Sequence, residues 1–125
     1  MTEPSPTTSW PADWLRGVLE LCVLSVLSAG PTYGYAVAQR LAEAGLGTVK
    51  GGTLYPLLTR LETEALAASS WREGDGGPGR KFFELTAAGS AELRSRTVAW
   101  NEFIEHARRL LPPLDAPPPT LPLRS

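Results

Sequence analysis

The sequence predicts a mainly α-helical fold that carries one small β-hairpin. Three observations predict it: a leucine ladder behind a pair of glycines at 51–52, two strand-like segments around a glycine-rich loop, and a final helical segment with a seven-residue apolar repeat. The chain has 125 residues. That length fits one domain with a modest core.

Prolines mark the two ends of the chain. Nine of the twelve lie in residues 1–11 or 112–125. Proline has no N–H to donate, so we predict that these ends are disordered tails. Between them we predict a domain over residues 12–85 and a long helix over 86–111.

Two helices are predicted in the first half of the domain. The first, over 13–28, opens with Asp13 and is apolar around most of its circumference. Such a helix must be surrounded, so it lies centrally or in a subunit interface. A weakly amphipathic second helix follows over about 33–44, with Thr32 as its N-cap and Gly45 as its stop.

The third helical segment is the most informative. Its leucines at 54, 57, 58 and 61 follow the spacing i, i+3, i+4 and i+7, which predicts one buried face. Pro56 is predicted in the first turn, so the helix begins near Gly52 or Thr53. The opposite side is formed by small residues, including Thr59. A helix that enters the DNA major groove needs such a side.

A β-hairpin is predicted after this helix. Residues 67–72 and 80–85 have strand character, and the loop between them is dense in turn-forming residues. Arg80 and Lys81 follow the loop directly. They stand where a wing would meet a phosphate backbone.

Thr86 is predicted to cap a final helix that runs to about Leu111. Its apolar residues alternate in spacings of four and three, the repeat that packs one helix along another. A helix of about 25 residues spans roughly 37 Å, longer than the core beside it. We therefore predict a homodimer whose interface contains Leu93, Trp100, Phe103, Ile104, Ala107 and Leu111.

The order of these elements is that of a winged helix-turn-helix followed by a dimerisation helix. It predicts a protein that binds double-stranded DNA at an inverted repeat and regulates transcription. The residues predicted to contact DNA are Tyr33, Thr53, Tyr55, Pro56, Thr59, Arg60, Arg80 and Lys81.

Several of these residues have a second interpretation. Tyr55 donates its hydroxyl to a phosphate or packs its ring beside the leucines. Thr53 caps the third helix, contacts phosphate, or does both. Arg60 contacts phosphate or pairs with Glu64 one turn later.

The sequence argues against catalysis and against a metal site. Cys22 and His106, the one cysteine and the one histidine, stand far apart, and the glycines form no phosphate-binding loop. No cofactor is predicted. Cys22 lies in an apolar run and reads as a buried hydrophobic residue, with a thiol sensor as the alternative. Without a signal peptide or an apolar span, the protein is predicted to be cytoplasmic, with no membrane partner.

Three stretches carry a resemblance to a known family. They are Leu15-Arg16-Gly17 with Tyr33-Gly34-Tyr35, the segment from Gly52 to Glu62, and the segment from Gly79 to Gly89. From Leu15 to about Leu111 the chain resembles the PadR-type transcriptional regulators, in the branch with a single C-terminal helix.

The resemblance implies a homodimeric winged helix, usually a repressor, whose third helix enters the major groove while the wing touches phosphate. Trp100 matches a tryptophan that lines an apolar pore at the dimer interface of some similar proteins and stacks on planar effectors. Such effectors lower DNA affinity by favouring a different spacing of the two reading helices.

Three residues depart from the family's pattern. Ala65 stands where glycine often ends the third helix, and a positive φ there would cost about 1 kcal/mol. Phe82 and Phe83 replace a common tyrosine pair. Thr59 replaces a frequent lysine, which lowers the expected affinity for phosphate.

Two alternatives to an effector-controlled repressor remain open. Residues 50–81 contain five basic side chains against four acidic ones, a near-neutral balance that favours a protein-binding module without DNA. The second alternative is a repressor with no effector, in which the amount of the protein alone sets the level of repression.

Overall fold

The structure is a computed structural model that describes residues 10–73 and 77–113. Its elements are α1 (Ala12–Leu27), β1 (Thr32–Tyr33), α2 (Gly34–Leu41), a π-helical turn (Ala42–Leu46), α3 (Gly51–Thr63), β2 (Ala67–Arg72), β3 (Arg80–Leu85) and α4 (Ala87–Leu110). The predicted fold class is confirmed. The predicted disordered tails lie outside the described residues, except for residues 10–11 and 112–113.

The core lies between the first three helices and the hairpin. All four leucines of the predicted α3 ladder are buried, together with side chains from α1, α2 and the sheet; the core residues are Leu19, Val23, Leu24, Leu27, Val37, Leu41, Val49, Leu54, Leu57, Leu58, Leu61, Ala67 and Phe83. Within the described ranges, no helix combines the length and apolarity needed to cross a bilayer.

A short strand precedes α2 where a helix cap was predicted. Thr32 and Tyr33 pair antiparallel with Phe83 and Phe82, which gives the described sheet the order β1-β3-β2. Thr32 is therefore not the N-cap; Tyr33 takes that position, without a side-chain cap bond. The prediction was wrong because the pairing partner lies some fifty residues along the chain, beyond the reach of local capping rules.

The start of α3 also differs from its prediction. The helix begins at Gly51, so Pro56 is its sixth residue and lies in the second turn. The helix tolerates this proline because the missing N–H would have bonded the carbonyl of Gly52, an exposed residue that water can reach. Thr53 is inside the helix, where its N–H donates to the Lys50 carbonyl, and it is not the cap.

Ala65 ends α3 in the left-handed conformation, with φ of 61°. The N–H of Leu66 donates to the carbonyl of Leu61, which closes the end of the helix in the way that glycine usually allows. The sequence analysis expected an energetic cost if Ala65 had a positive φ. The backbone of Ala65 does have one.

Replacing Ala65 by glycine is expected to stabilise the protein. Glycine adopts this conformation without steric strain, so Ala65→Gly should raise the free energy of unfolding by about 0.5–1 kcal/mol in urea denaturation. Ala91, exposed inside α4, is the matched control. There the same replacement should lower stability by about 0.5–1 kcal/mol. Equal losses in both variants would contradict a strained Ala65.

The last helix is fixed at its start by Thr86, as predicted. Its Oγ1 accepts a hydrogen bond from the N–H of Gly89 (3.0 Å) and donates one to the Ala65 carbonyl (2.7 Å). The helix then runs for 24 residues. At 1.5 Å per residue it is roughly 36 Å long. It packs on α1 and on β3.

Candidate nucleic-acid interface

The exposed side of α3 carries the small residues that the sequence predicted. Thr53, Tyr55, Pro56 and Thr59 are all exposed, whereas the leucines behind them are buried. This side of the helix is therefore open to a partner along its first two turns.

A cleft of about 520 Å³ separates α3 from the hairpin. It brings together five of the eight residues predicted to contact DNA: Tyr33, Tyr55, Thr59, Arg80 and Lys81. Thr53 and Pro56 lie on the exposed side of α3 beside the cleft. Arg60 does not line it.

Tyr55 is half exposed and lies against the start of α2. A Cβ atom added to Gly34 would stand 2.4 Å from Cε1 of the tyrosine ring, closer than atoms approach without displacement. Gly34 therefore makes room for the ring. Its position leaves 51% of the tyrosine accessible at the mouth of the cleft.

Arg60 is held by two carboxylates. It pairs with Glu20 of α1 and, at 3.6 Å, with Glu64 one turn later on α3. The hydrogen bond with Glu20 is the largest of the causes that raise the pKa of Arg60. The sequence anticipated the pair with Glu64, but Glu20 stands forty residues away and gave no signal.

Lys81 is tied to α3 as well. Its Nζ lies 3.1 Å from Oε1 of Glu62, while Ser69 of β2 donates a hydrogen bond to the other oxygen of that carboxylate. The Ser69 hydroxyl, and then Lys81, hold the pKa of Glu62 below its ordinary value. Glu62 thus connects both hairpin strands to α3.

Two arginines of the hairpin strands stack on aromatic rings. The guanidinium of Arg80 lies 4.5 Å from the ring centre of Tyr33, and that of Arg72 lies 5.0 Å from the ring centre of Phe82. Within the described residues, Arg72, Arg80 and Lys50 have no acidic partner within 4 Å. The two acids near the end of α3, Glu62 and Glu64, are both paired.

Two exposed aromatic residues of the cleft were missed by the sequence analysis. Trp71 is 72% exposed and Tyr35 is 64% exposed, and both line the cleft. In the hairpin register Trp71 stands opposite Lys81. Pairing the two strands residue by residue from the loop would have placed Trp71 on the face of the hairpin that is turned toward α3.

A second surface lies between α1 and α4. A groove of about 620 Å³ is lined almost entirely by apolar side chains, which include Trp10, Trp14, Val18, Leu46, Trp100, Phe103, Ile104 and Ala107. Trp10 closes one end, where its Nε1 donates to the Gly45 carbonyl at 2.8 Å. Of the predicted dimer residues, Leu93 instead packs against the chain's own core, and Leu111 lies exposed just past the end of α4.

Cys22 has the surroundings of a structural residue. It is partly buried against the core, and this burial raises the pKa of its thiol. A raised pKa lowers the thiolate fraction and with it the reactivity. In the ranges that the structure describes, no three potential ligands cluster to hold a metal ion.

Comparisons with known proteins agree on one family. The family model described as "Transcriptional regulator PadR-like family" matches residues 23–95. Transcriptional regulator Rv3488 of Mycobacterium tuberculosis is 35% identical over 90 residues, which cover 72% of this chain and 82% of that protein.

Solved structures show the same fold. A PadR family transcriptional regulator from Eggerthella lenta superposes with a TM-score of 0.72 at 37% identity, covering 78% of this chain and 85% of that one. Bacillus subtilis PadR, solved in complex with operator DNA, superposes with a TM-score of 0.60 at 24% identity, covering 67% of this chain and 48% of that one.

Proposed function

The chain belongs to the PadR-like family of transcriptional regulators, and on that basis we propose that it binds double-stranded operator DNA as a homodimer. Members of this family are regulators and not enzymes, as the sequence predicted. The proposal places the protein in the cytoplasm and divides it at the predicted bounds into a DNA-binding domain (12–85) and a dimerisation helix (86–111).

One observation carries the proposal: over its first two turns α3 exposes a side without acidic side chains, flanked by cations. Thr53, Pro56 and Thr59 let the helix approach the base edges of a major groove. Lys50, at the start of the helix, and Arg80, on the wing, stand where phosphates would pass on either side. We assign Tyr33, Tyr55 and the newly found Trp71 to the sugar–phosphate backbone.

Arg60 and Lys81 have a structural role in this proposal. Their ion pairs with Glu20, Glu64 and Glu62 hold α3 and the wing in place. They add positive potential to the surface. The direct phosphate contacts are made by Lys50 and Arg80, which lack acidic partners within the described residues.

The dimer would form through α4 and the apolar groove beside it. Phe103 and Trp14 are 62% and 56% exposed, and Leu110 is 89% exposed at the end of the helix. Exposed apolar side chains that cluster in this way, here on α1 and α4, are typical of an interaction surface. A second α4 covers it because the seam repeats every seven residues.

Footprinting tests the proposal. Bound to the DNA upstream of its own gene, the protein should protect two segments about one helical turn apart, related by two-fold symmetry. Affinity should fall steeply with salt as phosphate contacts release counterions. Protection without two-fold symmetry contradicts the dimer. A flat salt dependence together with no protection favours the protein-binding module.

We propose further that the protein is a repressor and that a planar aromatic effector releases it. Trp100 stacks near Phe103, with ring centres 5.9 Å apart, and both rings line the α1–α4 groove. In a dimer this groove becomes an enclosed apolar site of the size that small ligands fill. A ligand seated there would favour one spacing of the two reading helices.

Trp100→Ala is expected to abolish the response to planar aromatic compounds. Titration with such compounds should quench indole fluorescence and release operator DNA in the original chain, because stacking on Trp100 supplies the affinity. Phe103→Leu, which keeps an apolar side chain in the groove, is the control. An unchanged response in Trp100→Ala would mean that no effector stacks on Trp100.

Gly34→Ala is expected to weaken DNA binding by about tenfold, or 1.4 kcal/mol. The added methyl group displaces the Tyr55 ring, and with it a contact assigned to the backbone. Tyr55→Phe keeps the ring and removes only the hydroxyl, so it measures how much of the DNA affinity comes from the hydrogen bond of that hydroxyl. Operator titrations followed by fluorescence anisotropy measure both. Full affinity in Gly34→Ala would remove Tyr55 from the interface.

A further inference from the structure

The carboxylate of Glu20 lies between two arginines from different helices. Glu20 is on α1, and its side chain is 17% exposed. Its Oε1 accepts a hydrogen bond from Arg60 of α3, and its Oε2 accepts one from Arg96 of α4. A single side chain therefore joins three helices.

Each arginine has a second acidic partner on its own helix. Arg60 pairs with Glu64, and Arg96 pairs with Glu92, in both cases one turn away. Such pairs hold a guanidinium against the surface of its helix. When either helix moves, its guanidinium must move with it.

The two ends of this network reach the two proposed functional surfaces. Arg96 and Glu20 line a cleft of about 280 Å³ together with Trp100 and Phe103, which also line the α1–α4 groove. Arg60 directly follows Thr59 on the helix assigned to DNA. The network thus extends from the groove to the DNA-facing helix.

We propose that Glu20 is a positioning residue that transmits displacements of α4 to α3. The inference rests on the proposed function, which assigns α3 to DNA and α4 to the partner and the effector. A displacement of α4 withdraws Arg96 from Oε2. The mostly buried carboxylate then loses half of its charge compensation and reorients. Arg60 follows it, and the tilt of α3 changes.

Glu20→Gln tests the proposal by the sign of its effect. The variant removes a negative charge, so net charge alone predicts tighter binding to DNA. The proposal predicts binding that is weaker by about fivefold or more. Without the connection, a smaller fraction of molecules holds α3 in the orientation that binds.

The measurement is fluorescence anisotropy with the footprinted DNA fragment, at a temperature where circular dichroism shows every variant folded. Glu43→Gln is the control, because Glu43 is exposed and has no ion pair within the described residues. It should bind within about twofold of the original chain, as a remote surface charge does in salt. Tighter binding by Glu20→Gln, or equal binding in both variants, overturns the proposal.

Arg96→Gln tests the connection from the α4 end. It should also lose about fivefold in affinity, whereas Arg94→Gln, with the same charge change on the same helix, should not. The double variant Glu20→Gln/Arg96→Gln should lose no more than either single variant, because both break one connection. Additive losses overturn the proposal.

Unfolding measurements separate this proposal from the proposed function. If the original chain binds no DNA, the proposed function fails. The connection can still be measured from the free energies of unfolding in urea of four proteins: the original chain, Glu20→Gln, Arg96→Gln and the double variant. Non-additive values support a connection between α1 and α4 through Glu20, and additive values overturn it.

Discussion

Thr59→Glu is expected to weaken binding to operator DNA by about 100-fold or more, because like charges facing each other across an interface cost several kcal/mol. Thr59 is exposed in the middle of the open side of α3 and lines the cleft to the wing. A carboxylate there would face the phosphates and base edges of the operator. Both subunits of the dimer would carry the change.

Thr59→Gln is the matched control for this variant. Glutamine has the size of glutamate without its charge. The loss of DNA affinity in Thr59→Gln therefore measures steric fit alone and should stay within about tenfold. Anisotropy titrations at two salt concentrations compare the pair. Equal affinities for the glutamate and glutamine variants would mean that this side of α3 does not face DNA.

Gly89→Ala is expected to destabilise the protein by about 3 kcal/mol, at the upper end of what overpacking usually costs. Gly89 is buried in the first turn of α4. A Cβ atom there would stand 2.0 Å from the carbonyl oxygen of Leu66, a backbone atom that no rotamer change can remove. The start of α4 must therefore shift away, which also breaks the Thr86 cap.

Gly52→Ala is the control for Gly89→Ala. Gly52 is helical as well, but a Cβ atom there meets no heavy atom within 4 Å. Alanine favours a helix over glycine, so this variant should gain up to about 1 kcal/mol. Urea denaturation of both variants gives the comparison. Similar changes in both would mean that α4 does not pack against the Leu66 carbonyl.

Periodic and local features of the fold were predictable from the sequence. The leucine ladder predicted the buried face of α3, and the hairpin strands have the bounds that their residues predicted. Thr86 was recognised as a cap because its threonine side chain reaches a backbone N–H within its own turn. In each case the interacting groups are a few residues apart.

Features that depend on distant contacts were not predictable. β1 exists because β3 offers it a free edge, and nothing in Thr32 or Tyr33 alone distinguishes a strand from a cap. The bonds between Glu20 and its two arginines join residues forty and seventy-six positions apart. Charge counting over residues 50–81 could not show that Arg60 and Lys81 are paired with Glu64 and Glu62.

Protection of guanine N7 from methylation by dimethyl sulfate tests the central claim most directly, because this atom lies in the major groove of DNA. The claim is that the open side of α3 enters the groove twice, once from each copy of the chain. We predict two patches of protected guanines about one helical turn apart, lost together in Thr59→Glu. Full methylation of every guanine on DNA that the protein still occupies would contradict the account.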